Sequence, residues 1–62
     1  MALNLEPNIA DPDGFYDELL GVHDGLSKAD SDALNARLIL VLANHIGDRD
    51  VLRAALAAAK RA

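Results

Sequence analysis

Apolar and polar positions divide the chain into an opening segment and three helical stretches, each ended by glycine or by the chain terminus. Leu3, Leu5 and Ile9, with Pro7 between them, keep no helical spacing and predict an extended arm over about residues 1–10. Asp11-Pro12-Asp13 predicts a helix start. It supplies a capping carboxylate, a proline where the missing N–H is harmless, and a negative charge at the positive end of the helix dipole. Helix 1 is expected over about 12–24, closed by Gly25 in the left-handed conformation, with Leu26 packing back on its last turn. Ser27 with Asp30 approximates a capping box and opens helix 2, about 28–46. Gly47 ends it, and Asp48 caps helix 3 over about 49–61, where Lys60 and Arg61 suit the negative end. No strand alternation or repeat is present. The fold class is all-α: an arm, then one three-helix domain over 11–62.

The helical faces differ. At 100° per residue, helix 1 gathers Phe15, Tyr16, Leu19, Leu20, Val22 and Leu26 on one arc, with Asp17, Glu18 and Asp24 opposite and His23 inside the apolar arc. Helix 2 is apolar almost all round, because its only polar stripe past the first turn is Arg37 with Asn44. One side carries Leu34, Leu38, Leu42, Ile39 and Ile46; another carries Ala29, Ala33, Ala36, Leu40 and Ala43. Helix 3 offers Val51, Leu52 and Leu56 but is otherwise mostly alanine. Either helices 1 and 3 embrace helix 2 from both sides or one of its faces meets another polypeptide, and the small bulk of helix 3 favours the second. An apolar patch completed by a partner or a second copy is expected, with Arg37, Leu38, Leu40, Val41, Asn44 and His45 as the partner interface.

Composition sharpens this imbalance. Of 62 residues, 52% are apolar, but 12 of these positions are alanine. Chains this short usually need disulfides, a metal, very good helix packing or a partner, and there is no cysteine. The formal charge of -4 argues against nucleic acid and anionic membranes as partners. The longest wholly apolar run, Leu38 to Ala43, is too short to span a bilayer, and the first residues lack a positive secretory n-region. A cytoplasmic setting is the expectation.

Catalytic chemistry finds little support. His23 and His45 lie within apolar arcs of consecutive helices, and a shared metal or a general base is one reading of the pair. Hydrogen-bonded core or interface imidazoles are the preferred one, since metal sites usually need three or four ligands and only Asp48 lies near as a third. The carboxylates occupy polar faces or helix starts, where solvation and capping account for them, and an acid/base pair needs a dry pocket. No phosphate loop, nucleophile elbow or HExxH motif occurs, so no catalytic residue and no cofactor are assigned. Arg37 is read either as paired with Asp30 or Asp48 or as an interface anchor. Asn35, on the apolar side of helix 2, is expected to fix register with the arm or a partner.

Two stretches, Asn8-Ile-Ala-Asp-Pro-Asp-Gly-Phe-Tyr-Asp-Glu-Leu19 and Leu34-Asn-Ala-Arg-Leu-Ile-Leu-Val-Leu-Ala-Asn-His-Ile-Gly-Asp48, resemble a small bacterial family classed only as a domain of unknown function. The resemblance covers nearly the whole chain. It implies a stand-alone helical protein of this length, often encoded beside flavin-dependent oxidoreductases of the aromatic hydroxylase type. It carries over no functional residues, and Asn44-His45-Ile46-Gly47-Asp48 is the segment of interest. The expected function is a non-enzymatic accessory protein that docks on a larger cytoplasmic enzyme, with a flavin-dependent monooxygenase as the candidate. The alternatives are a self-associating homodimer with a scaffold or sensing role, and a minimal metal- or ligand-binding protein using His23 and His45.

Overall fold

A computed structural model describes residues 3–60. It contains three helices, α1 (Pro12–His23), α2 (Lys28–Ile46) and α3 (Arg49–Ala59), and no strand among the described residues. Residues 3–10 carry neither helix nor strand; Met1 and Ala2 of the expected arm, and Arg61 at the expected end of helix 3, lie outside the described residues. The helix ends fall one or two residues inside those expected for α1 and α3, because Asp24 and Lys60 serve as caps.

Each boundary has a local chemical cause. Pro12 is the first residue of α1, and the Asp11 carboxylate accepts from the Gly14 N–H at 3.1 Å. Asp11 itself sits in the left-handed region at φ 53, a conformation that Asp tolerates better than most residues. The Ser27 hydroxyl accepts from the Asp30 N–H at 3.1 Å and starts α2. Gly47, at φ 72, ends α2 and donates its N–H to the Ala43 carbonyl at 2.9 Å. The next residue, Asp48, accepts from the N–H groups of Asp50 (2.9 Å) and Val51 (3.2 Å) and so starts α3 after only two intervening residues.

That tight turn makes α2 and α3 the closest-packed pair of helices. Val51, on the first turn of α3, is the one buried hydrophobic residue among those described, at 9% exposure. By rise per residue α2 is about 28 Å long and α3 about 16 Å, so α3 faces only part of α2. α1 meets the N-terminal half of α2, where Ser31, Leu34 and Leu38 are half-buried. Only Leu19, Gly14 and His23 of α1 are half-buried; Phe15, Tyr16, Leu20 and Val22 remain exposed, so the expected one-sided packing of α1 is incomplete.

The dimensions express the same deficit. The radius of gyration is 13.3 Å. A compact chain of this length has about 10.6 Å. The accessible surface is 5536 Å², whereas a folded monomer of this mass exposes about 3,900 Å².

Candidate interaction surface

Two polar constellations and one apolar groove stand out. The first constellation joins α1 to α2. The His23 ring has its Nδ1 2.7 Å from the Leu19 carbonyl oxygen and its Nε2 2.8 Å from Asn35 Oδ1. With Nδ1–H donating to the carbonyl, the imidazolium donates from both nitrogens, while the neutral ring accepts at Nε2 and suits an Asn35 amide turned to donate. His23 is thus a hydrogen-bonded, half-buried histidine. The expectation for Asn35 is corrected: it is exposed rather than buried, and it bonds His23 of α1 rather than the arm or a partner. Helical periodicity marks the face an amide occupies and says nothing of which element reaches it.

His45 is exposed on the last turn of α2. Among the described residues no group of three or more His, Cys, Asp or Glu is placed to hold a metal ion. The acidic residues act locally: Asp11 and Asp48 cap helices, Asp32 pairs with Lys28 at 2.8 Å, and Asp50 pairs with Arg53 at 3.1 Å. These exposed pairs within single helices contribute little to stability. Arg37 joins neither Asp30 nor Asp48 among the described residues, since the Asp48 carboxylate is taken up by its cap. Arg37, Asn44 and the large apolar Leu40 and Val41 are all exposed, Leu40 at 69%; Leu38 is half-buried within the chain.

The groove lies on the other side of α2. Ile39, Leu42, Ala43 and Ile46 form one wall, and Leu52, Ala55, Leu56 and Ala59 of α3 form the other, around an open volume of about 490 Å³. Its walls are side chains of purely hydrocarbon character. The volume lies in the range of small-molecule sites, but such sites carry a few polar groups that orient the ligand, and none lines this one. Helical periodicity puts Ile39, Leu42 and Ile46 on an apolar side of helix 2, outside the expected partner interface. The signal available was the alanine content of helix 3, which leaves a hollow opposite them.

The chain matches a family described as "Protein of unknown function (DUF2783)" over residues 3–61. It belongs to the DUF2783 family. No curated protein and no solved structure matches it. The DUF2783 match spans all three helices, so the groove and the far face of α2 both lie within the family's domain. No helix among the described residues is long and apolar enough to cross a membrane.

Proposed function

We propose that the protein is a non-enzymatic helical accessory protein that docks on a larger cytoplasmic enzyme and stabilises or regulates it. One observation carries this reading: among the described residues one large hydrophobic side chain is buried, while thirteen are exposed. Single exposed apolar residues are ordinary, but an apolar surplus of this size marks a surface made for another polypeptide.

The docking face is the side of α2 bearing Arg37, Leu40, Val41 and Asn44, with His45 at its edge. Its composition supports the assignment, because an Arg set among aliphatic side chains can desolvate on contact and bond a carboxylate bidentately. The resemblance to a bacterial family encoded beside flavin-dependent oxidoreductases supplies the candidate partner, a monooxygenase of that class. Co-expression of the two chains is the test. They are expected to elute as one complex, and Leu40→Asp or Arg37→Ala is expected to weaken it by about tenfold or more. Separate elution at micromolar concentration overturns the reading.

A further inference from the structure

We propose that the α2–α3 groove is filled by a second copy of the chain, so that α2 and α3 of two protomers close into a two-fold four-helix arrangement.

Area is the first argument. The chain exposes about 1,600 Å² more than a folded monomer of its mass. A docking contact of standard size covers about 800 Å² per partner and leaves half of that excess wet. Obligate homodimers bury upward of about 1,000 Å² per subunit, an area that the excess exceeds even though α1, residues 3–10 and the far face of α2 share in it.

Relief is the second argument. A two-fold contact brings a patch against itself, so the patch must hold both projections and recesses. This one does: Ile39 and Leu56, at 64% and 68% exposure, stand beside the small Ala43, Ala55 and Ala59. Knobs of one copy have holes to enter on the other.

Charge is the third. The net charge of -4 would oppose pairing if it lay at the contact. It does not, because all six Lys and Arg residues lie at or after Lys28, whereas six of the ten acidic residues precede it. The α2–α3 half of the chain is therefore slightly positive, and the groove walls carry no charge at all. The acidic arm and α1 stay outside the contact.

Sedimentation equilibrium of the full chain tests this. The expected mass is twice 6.6 kDa at micromolar concentration. Ile39→Asp and Leu56→Asp, each alone, are expected to weaken dimerisation by about 100-fold or more, while Leu5→Asp in the arm leaves it unchanged. Should the groove variants lose their helices, mixed labelled and unlabelled wild-type chains decide by isotope-filtered NOEs. Contacts between protomers are expected from the Ile39 and Leu56 methyls to Ala43, Ala55 or Ala59. A mass of 6.6 kDa at every concentration overturns the proposal, as does a monomer retaining a small apolar molecule in native mass spectrometry. A dimer whose intermolecular NOEs map to Leu40 and Val41 also overturns it. A monomer that still binds the oxidoreductase sinks only this proposal, and a dimer that ignores the oxidoreductase sinks only the docking reading.

Discussion

Asp11 does two things at once. Its carboxylate caps α1, yet its backbone takes a left-handed conformation that costs a non-glycine residue about 1 kcal/mol. The geometry also explains Gly14, since a Cβ at that position would collide with the capping carboxylate. These opposed terms make the two simplest substitutions diverge. Asp11→Ala loses the cap and keeps the strain, and is expected to cost about 1–2 kcal/mol. Asp11→Gly loses the cap but releases the strain, and is expected to fall within about 0.5 kcal/mol of the parent. Urea titrations of the three proteins decide; equal losses in the two variants would show that the backbone strain contributes nothing.

At the scale of elements, α1 is joined to α2 by the His23–Asn35 bond, and the groove is left to α2 and α3. His23→Ala is therefore expected to speed amide exchange over Pro12–His23 by about tenfold, a loss of roughly 1.4 kcal/mol, while amides of α3 keep their protection. Uniform loss of protection in all three helices would show that α1 is part of one cooperative unit. The boundaries of these helices were legible in the sequence because caps are local chemistry: Ser27, Gly47 and Asp48 act within three or four residues of themselves. The pairing of helices was not, because it depends on distances that periodicity does not encode. Asn35 reads as a polar residue on an apolar face, but only the placement of α1 assigns it to His23. Ile39, Leu42 and Ile46 read as a packing face, and only the small side chains opposite them turn that face into an open groove.

For the whole molecule, the second-copy proposal ties stability to mass action. The thermal midpoint is expected to rise steadily as chain concentration is raised over two decades, because the folded pair is bimolecular in its formation. Melts followed by circular dichroism test this, and a midpoint that stays constant over that range argues for a self-sufficient monomer. Sodium chloride is expected to move the midpoint little, since the exposed ion pairs Lys28–Asp32 and Arg53–Asp50 lie away from an uncharged groove. Sulfate is expected to raise it by strengthening apolar burial.

The isolation of Val51 as the lone interior side chain among the described residues has a kinetic consequence. A chain with almost no interior of its own has little to gain from collapsing by itself. If the second-copy proposal holds, the productive step is the encounter of two partly helical chains, and the observed refolding rate grows with chain concentration where an ordinary small domain refolds at a fixed rate. Dilution alone would act as a denaturant, and the amount of folded protein in a cell would follow the square of the number of chains made until most of them are paired.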